Sequence, residues 1–222
     1  MDEPIDYKAV AAQLAKPTGD TGIGVAERMN ISNGDMTRHA IDLLNCANGD
    51  RVLEIGPGNG RFAGYVLSKG SDIHYTGVDI SETMVETARK INKQHVDAGQ
   101  AIFEWTDGSH FPFADHTFDR IFTVNTLYFW QNPTTQLAAI RRMLKPNGVF
   151  CLAIASREFM EQLPFTAYGF ILYTPEEAAA LLRNSGFLLT DTVSRNHPTV
   201  SAAKREVIRE EIFITAHRRH NS

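Results

Sequence analysis

A short apolar run followed at once by three closely spaced glycines constrains the fold of this chain most. The run, residues 52–55, has the length and composition of a buried strand. Gly56, Gly58 and Gly60 follow at alternate positions, so the backbone can turn tightly there and no Cβ stands between it and a ligand. From Phe62 onward the pattern predicts a helix whose first N–H groups face the same turn. This combination of strand, bare turn and helix start is typical of a cradle for a nucleotide-type ligand.

The rest of the chain alternates short β-type runs with helical patterns, which indicates βαβ units and a parallel, doubly wound α/β sheet. Strands are predicted at 51–56, 74–80, 101–106, 118–124 and 148–155, with helices at about 61–69, 82–95 and 133–144. Two more strands, 187–193 and 206–216, have no room for a helix between them and must therefore be antiparallel. We expect a mostly parallel sheet that ends in a C-terminal antiparallel hairpin.

The N-terminal residues carry two helical patterns, Tyr7–Ala15 and Met36–Leu44, separated by a segment that contains Gly and Asn. Since no linker or repeat is visible, we predict a single domain over residues 1–222. Within it, residues 1–48 would form a helical cap and residues 49–217 a Rossmann-like core. Two interpretations of residues 1–48 are equally open. They form a cap over the C-terminal edge of the sheet, or they are helices that only pack against the sheet.

The net charge and the composition limit the classes of partner that this chain can have. A net charge of -4 gives no basic footprint for nucleic acid. No apolar run reaches the roughly 18 residues that span a bilayer, and residues 1–20 lack the features of a signal peptide. We therefore predict a cytoplasmic protein with no membrane span and no nucleic-acid partner. Cys46 and Cys151 lie in apolar contexts and are predicted to be buried thiols rather than a disulfide.

The ends of the predicted strands define a candidate site, because ligands of open parallel sheets bind at the carboxyl ends of the strands. These ends are Glu54-Ile-Gly-Pro-Gly58, Gly77-Val-Asp79-Ile80, Thr106-Asp107-Gly108-Ser109 and Val124-Asn125-Thr126. Three of the four carry a carboxylate, which favours hydroxyls, amino groups or positive charge over a bare phosphate. Asp79 can accept hydrogen bonds from two ribose hydroxyls, and Ile80 can cover one face of a base.

A nicotinamide dinucleotide is the main alternative ligand. Its fingerprint, G-x-G-x-x-G, requires a glycine where this chain has Arg61. Glu54 would also repel a pyrophosphate, so the sequence disfavours a dehydrogenase.

The segment Glu54-Ile-Gly-Pro-Gly-Asn-Gly60 resembles the first motif of class I S-adenosylmethionine-dependent methyltransferases. Asp79, Asp107-Gly108 and residues 144–148 fall where that family has further motifs, and the resemblance covers about residues 50–217. It implies a Rossmann-like seven-stranded sheet and S-adenosyl-L-methionine as the cofactor. The branch similar to ubiquinone/menaquinone C-methyltransferases fits best, through residues 111–119 and 125–130.

The resemblance also implies a role for each residue of the candidate site. Backbone at Gly56 and Gly58, on either side of Pro57, would approach the methionine moiety of the cofactor, and Glu54 would hold its amino group. The remaining contacts would be Asp79 to the ribose, Ile80 to the adenine face, Asp107 with Gly108 and Ser109 to the adenine amino group, and Asn125 to the methionine portion beside the methyl acceptor.

Methyl transfer from a sulfonium needs a general base only if the acceptor must lose a proton. Tyr128 and His110 are candidates, although Tyr128 can equally be a pocket wall and His110 a solvated loop residue. No spacing of His, Cys or acidic residues predicts a metal site. Aromatic residues between Phe159 and Tyr173 indicate an apolar or aromatic small acceptor, unless they are simply core.

We therefore predict a monomeric or homodimeric enzyme that methylates a small, apolar or aromatic molecule. Two alternatives stay open at this point: a peptide or protein methyltransferase, and a non-catalytic cofactor-binding protein with the same fold.

Overall fold

A computed structural model describes residues 5–200 and 206–219. Its strands are β1 (Arg51–Ile55), β2 (His74–Asp79), β3 (Ala101–Trp105), β4 (Phe118–Val124), β5 (Leu144–Ala155), β6 (Phe187–Val200) and β7 (Glu206–Arg218). They form one sheet in the order β3-β2-β1-β4-β5-β7-β6. Strands β1 to β5 pair in parallel, whereas β7 is antiparallel to both β5 and β6. The predicted Rossmann-like α/β fold with a C-terminal antiparallel hairpin is confirmed.

The helices are α1 (Tyr7–Ala15), α2 (Gly19–Leu43), α3 (Ala63–Leu67), α4 (Glu82–Ile91), α5 (Lys93–Asp97), α6 (Pro133–Met143), α7 (Arg157–Met160) and α8 (Pro175–Asn184). Several begin at a residue whose side chain caps the first turn. Ser81 Oγ accepts a hydrogen bond from Met84 N at 3.1 Å at the start of α4. Thr174 and Glu177 form a reciprocal capping box at the start of α8. Among the described residues, no helix is both long and apolar enough to cross a membrane.

Two apolar clusters cover opposite faces of the sheet. Side chains alternate between the faces along each strand, so Leu53 lies in one cluster and Val52 in the other. Helices α6 and α8 pack on the Leu53 face, and α3, α4 and the C-terminal half of α2 pack on the Val52 face. Cys151 is buried, Cys46 is partly buried, and both are free thiols, as predicted.

The N-terminal region differs from the prediction of two separate helical patterns, because α2 runs without a break through the Gly- and Asn-containing middle. The tight turn that precedes α2 depends on Gly22. A Cβ on Gly22 would lie 2.6 Å from the carbonyl carbon of Pro17, so only glycine lets the turn before α2 pack against the helix. Met36 and Ile41, near the end of α2, pack on the sheet face, whereas the middle of the helix lies over the C-terminal edge of the sheet. The division of the chain into a cap and a core stays a prediction.

The C-terminal hairpin is longer than the predicted strands 187–193 and 206–216. Strand β5 ends where Ala155 pairs with Glu211, and residues 206–210 of β7 pair only with β6. The hairpin therefore extends past β5 as a two-stranded arm at the C-terminal edge of the sheet. At the opposite edge, β5 begins at Leu144 and not at the predicted residue 148, and residues 145–148 form its irregular start.

Candidate functional site

Two adjoining cavities open at the C-terminal edge of the sheet. The large cavity has a volume of about 750 Å³ and the small cavity about 120 Å³. They share Gly56, Gly58 and Asn33 in their walls. Of the predicted site residues, Gly56, Gly58, Asp79, Ile80, Asp107, Gly108, Ser109, Asn125 and Tyr128 line the large cavity. Glu54 and Pro57 line the small one, whereas His110 lines neither.

The three glycines of the loop after β1 are required for two different reasons. Gly56 has a φ of +76°, and a Cβ there would lie 2.4 Å from Thr126 Cγ2. Gly60 packs against Phe103, whose ring a Cβ would meet at 2.8 Å. Gly58 has a φ of +56° and open space around its Cβ position. Close packing therefore demands glycine at the first and third positions, while the second leaves bare backbone at the cavities.

Two carboxylates at neighbouring strand ends are buried. Glu54 on β1 accepts a 2.6 Å hydrogen bond from the hydroxyl of Tyr75. Burial raises the pKa of Glu54 to about 7; the Tyr75 hydrogen bond opposes this shift and the Asp79 charge adds to it. Burial likewise raises the pKa of Asp79 to about 6, although backbone hydrogen bonds from Ser81 and Gly58 favour its charged form. The hydrogen bonds offset the burial of these two acids only in part, and acids with raised pKa values of this kind are typical of a functional site.

Asp79 also fixes the loop that follows β1. Its Oδ2 accepts a 3.0 Å hydrogen bond from Gly58 N, and its Oδ1 accepts one of 2.9 Å from Ser81 N. The same carboxylate thus connects the ends of β1 and β2 and lies in the wall of the large cavity.

The loop after β3 is organised by Asp107. Its Oδ1 accepts backbone hydrogen bonds from His110 and Ser109, both at 2.8 Å, and these lower the pKa of the carboxyl. The His110 ring is exposed, which fits its interpretation as a solvated loop residue. Ile80 lies directly beside Gly108, where a Cβ would come within 3.1 Å of Ile80 Cγ2.

Gln136 on α6 is a site residue that the sequence did not single out. Its Nε2 donates to Gly108 O at 2.7 Å. Its Oε1 is buried and has no hydrogen-bond partner among the described residues, although the side chain lines the large cavity. An unpartnered buried acceptor beside a cavity is suited to a ligand donor.

Asn125 and Tyr128 form a polar cluster at the end of β4. Asn125 has a φ of +55°, an unusual backbone conformation for a residue other than glycine. Its Oδ1 accepts a 3.1 Å hydrogen bond from Ala155 N. The Tyr128 hydroxyl accepts from the same N–H at 2.6 Å and lies within donating distance of Ala155 O and Asn125 Oδ1. Burial raises the pKa of Tyr128 well above its ordinary value, so this hydroxyl stays protonated at neutral pH.

The far end of the large cavity is apolar and aromatic. An aromatic wall, defined here as Phe129, Phe159, Phe165 and Phe170, lines it. The Phe129 and Phe170 rings pack edge-on with centroids 4.6 Å apart. Three of the aromatic residues between 159 and 173 thus face the cavity. Another, Tyr168, is exposed.

Arg209 on β7 also lines the large cavity and was missed by sequence reasoning. Ser156 N, three residues before Phe159, donates to Glu210 O at 2.9 Å, so this part of β7 lies beside the segment that carries the aromatic wall. Glu211, two residues later, shares its face of the strand and is fully buried. A signal was present, because three charged residues, Arg209-Glu210-Glu211, lead directly into the apolar run of β7, and in a strand the first and third of them share one face.

Comparison with known proteins agrees with this geometry. The methyltransferase-domain family Methyltransf_11 matches residues 53–152. The methyltransferase YdaC of Bacillus subtilis is 30% identical over 131 residues, which cover 59% of this chain and 70% of YdaC. The O-methyltransferase rstn1 of Aspergillus nomiae is 28% identical over 127 residues, which cover 57% of this chain; the chain spans only 56% of that relative's length.

Two solved structures share the fold across nearly the whole chain. A chain of the complex between the Haloferax volcanii Trm112 activator and a methyltransferase has a TM-score of 0.76 at 21% identity, covering 99% of this chain and 100% of that one. Phosphoethanolamine N-methyltransferase 2 of Haemonchus contortus, solved with phosphomonomethylethanolamine and S-adenosylhomocysteine, has a TM-score of 0.71 at 18% identity, covering 98% of this chain and 61% of that one. The chain belongs to the class I S-adenosylmethionine-dependent methyltransferases.

Proposed function

We propose that this protein transfers a methyl group from S-adenosylmethionine to a small, apolar or aromatic acceptor. One observation carries the proposal: a single large cavity runs from an acidic end with bare backbone, at Asp79 and Gly58, to the aromatic wall. The first end suits a nucleoside with hydroxyl and amino groups, and the second suits an apolar acceptor.

The cofactor fits the residues that are present. Gly58 leaves open space where any side chain would take up room in the cradle. The buried Asp79 carboxylate is an acceptor for ribose hydroxyls. Gln136 Oε1, unpartnered beside Gly108, can accept a hydrogen bond from an adenine amino group.

In this proposal the predicted binding residues hold successive parts of the cofactor. Glu54 would pair with its amino group through the small cavity, and Ile80 would cover the adenine. Asp107 Oδ1 is already engaged with its own loop, so Oδ2 is the oxygen left to receive an adenine donor. Gly56, Pro57 and Gly58 would border the methionine moiety, and Ser109 the adenine.

When bound, S-adenosylmethionine would supply a methyl group on a sulfonium for in-line transfer to an acceptor lone pair, with the neutral thioether of S-adenosylhomocysteine as the leaving group. The chain itself positions the acceptor and excludes water, for which the aromatic wall is suited. Tyr128 is proposed as a positioning residue rather than a base, because its buried hydroxyl holds the ends of β4 and β5 together. His110 is given no part in the reaction, since its exposed ring does not reach the cavity.

The name of the Aspergillus relative supports an oxygen atom as the methyl acceptor. Neither relative described above is named a quinone C-methyltransferase, so that branch stays a prediction, as do the cytoplasmic location and the oligomeric state.

Binding of S-adenosylhomocysteine, measured by calorimetry, tests the cofactor half of the proposal. We expect the wild type to bind it, and Asp79→Asn to bind it about 10- to 100-fold more weakly, because hydrogen bonds to a charged acceptor are lost. Asp97→Asn, which changes an exposed carboxylate on α5, is the matched control and should bind normally. Absence of binding by the wild type, or saturation by NADH instead, would refute the proposal.

Isotopically labelled S-adenosylmethionine, incubated with the protein and a fractionated cell extract, tests the acceptor half. Label recovered in the small-molecule fraction supports the proposal. Label recovered in polypeptides would establish the peptide alternative, and cofactor binding without any transfer would establish a non-catalytic protein.

A further inference from the structure

Arg209 is a buried cation at the acceptor end of the large cavity. It is 3% exposed. The other charged residues in the described wall, Lys16, Asp79 and Asp107, belong to the opposite end, where Lys16 lies close enough to lower the pKa of Asp79. In the sheet order, β7 is two strands from β4, and Arg209 lies three residues beyond Ile212, which is level with Asn125. The two backbones are therefore roughly 14 Å apart, a gap that the two side chains and a small acceptor can span.

The charges around Arg209 do not cancel. The fully buried Glu211 carboxylate receives two guanidinium groups: Arg209 reaches Oε1 at 2.6 and 3.0 Å, and Arg195 reaches Oε2 at the same two distances. Within this hydrogen-bonded cluster of described residues, two cations share one anion, which leaves the cluster with an excess positive charge. Arg195 is partly solvated, whereas Arg209 is not, so water screens the charge poorly on the cavity side.

Hydrogen bonds also hold the guanidinium of Arg209 rigidly, and one of its N–H groups is not used by them. Besides Glu211, Nη2 donates to Ser32 O at 3.0 Å and Nη1 donates to Asn33 Oδ1 at 3.1 Å. An arginine has five N–H groups, and these contacts use four of them. The fifth, on Nη1, has no acceptor among the described residues. A fixed donor costs little ordering entropy when a ligand binds, so it favours an acidic oxygen strongly.

We propose that Arg209 binds an anionic oxygen of the methyl acceptor, so that the protein acts on small molecules with an apolar or aromatic body and a carboxylate or ionised hydroxyl. The proposal rests on the proposed function, because it assigns the occupant of the acceptor end. The aromatic wall accounts for the body of such a molecule, and Arg209 for its charge. A neutral hydrocarbon would leave the excess charge and the fifth N–H unsatisfied.

The experiment compares ligands that differ only in charge. Protein saturated with S-adenosylhomocysteine is titrated by calorimetry with naphthoate and naphthalenemethanol, and then with octanoate and octanol. We expect each carboxylate to bind about tenfold more tightly than its alcohol. Para-nitrophenol covers the other source of an oxyanion, because binding at Arg209 would increase the visible absorbance of its ionised form.

Variants test whether Arg209 causes the preference for a carboxylate over its alcohol. Arg209→Met should reduce the carboxylate-to-alcohol affinity ratio to about one, and Arg209→Lys, which keeps the charge, should retain part of it. Arg195→Met should reduce the ratio only to about threefold, because it removes the excess charge but leaves the donor. Arg157→Met, at an ion pair outside the cavity wall, is the control and should not change the ratio. Both ligands are measured on the same variant, so a lower folded fraction does not alter the ratio.

Equal binding of the wild type to both members of each pair would overturn the inference, and so would binding of neither. A loss in Arg157→Met as large as that in Arg209→Met would overturn it as well. These results are separate from failure of the proposed function, which would appear earlier as absence of binding to S-adenosylhomocysteine.

Discussion

At the residue scale, the carboxylates buried at the strand ends cost the free protein stability. Glu54 is buried and its pKa is raised to about 7 by that burial, so at higher pH the fold must hold a charge that water no longer solvates. Its one hydrogen bond within the described residues, from Tyr75, offsets only part of this cost. In the proposed function this carboxylate pairs with the amino group of the cofactor, which would offset the remaining cost.

Glu54→Gln should therefore stabilise the free protein while weakening cofactor binding. A carboxyl whose pKa rises from 4.5 to about 7 on folding stabilises the fold while it is protonated, and this contribution is lost as the pH rises through 7. We expect the free energy of unfolding to increase by about 1–3 kcal/mol at pH 8 and to be nearly unchanged at pH 4. Urea unfolding at both pH values measures this effect.

The same variant should bind S-adenosylhomocysteine about tenfold more weakly at pH 8, because the ligand amine loses its counter-charge. Glu86→Gln, an exposed carboxylate on α4, is the matched control and should change neither quantity. A variant that is less stable than the wild type at pH 8 would contradict the argument.

At the scale of the element, α2 forms because of its packing and against its composition. Gly22 and Gly24 lie in its first two turns, and glycine destabilises a helix interior by about 1 kcal/mol relative to alanine. The two positions differ in their surroundings. A Cβ on Gly22 would meet the backbone of Pro17 at 2.6 Å, whereas a Cβ on Gly24 would meet only the end of the Arg28 side chain, at 3.7 Å.

Alanine at these two positions should have opposite effects. Gly22→Ala should lower the free energy of unfolding by about 1–3 kcal/mol, because the Pro17 backbone must move. Gly24→Ala should raise it by about 0.5–1 kcal/mol through helix propensity alone. Urea unfolding of both variants measures the difference, and equal stabilities would mean that Pro17 does not pack against α2 as described.

Local patterns predicted most elements, while long-range contacts decided the rest. Strand β4 was predicted with its observed bounds, because its apolar residues and its flanking turns are adjacent in sequence. The continuous α2 was not predicted, since the glycines and asparagines of its middle disfavour a helix locally and its packing on the sheet is a long-range contact. The polar end of β6, from Ser194 onward, was not predicted either, because it is a strand only through its pairing with β7.

The candidate site divides in the same way. Asp79 and Gly58 follow directly from strand ends and glycine spacing, and both line the large cavity. Arg209 and Gln136 come from β7 and α6, outside any motif, and reach the cavity only through the topology of the sheet. His110 was a candidate because it follows β3, but the loop held by Asp107 leaves its ring exposed.

At the scale of the whole molecule, the two ends of the parallel strands differ in what their residues do. The cavities lie at the C-terminal edge, and Asp119 joins three strands at the other. Its Oδ2 accepts from Arg51 N at the start of β1 at 2.9 Å, and its carboxylate binds Lys145 Nζ on β5 at 2.7 and 2.9 Å. Asp119 itself belongs to β4, so one side chain connects the beginnings of β1, β4 and β5.

Stability and cofactor affinity should therefore respond independently to changes at the two edges. Asp119→Ala should lower the free energy of unfolding by about 1–2 kcal/mol, since it removes a partly exposed ion pair and a backbone hydrogen bond. Its dissociation constant for S-adenosylhomocysteine should stay within about twofold of the wild type, because distant and independent sites contribute additively. Asp79→Asn should instead weaken binding about 10- to 100-fold at any stability, because a charged acceptor for the ligand is lost. Its effect on unfolding combines removal of a buried charge with loss of one backbone hydrogen bond, since an amide nitrogen cannot accept from Gly58 N or Ser81 N. Calorimetry and urea unfolding on both variants measure the four quantities. Weaker cofactor binding by Asp119→Ala, at a temperature where it is fully folded, would mean that the two edges are coupled through the sheet.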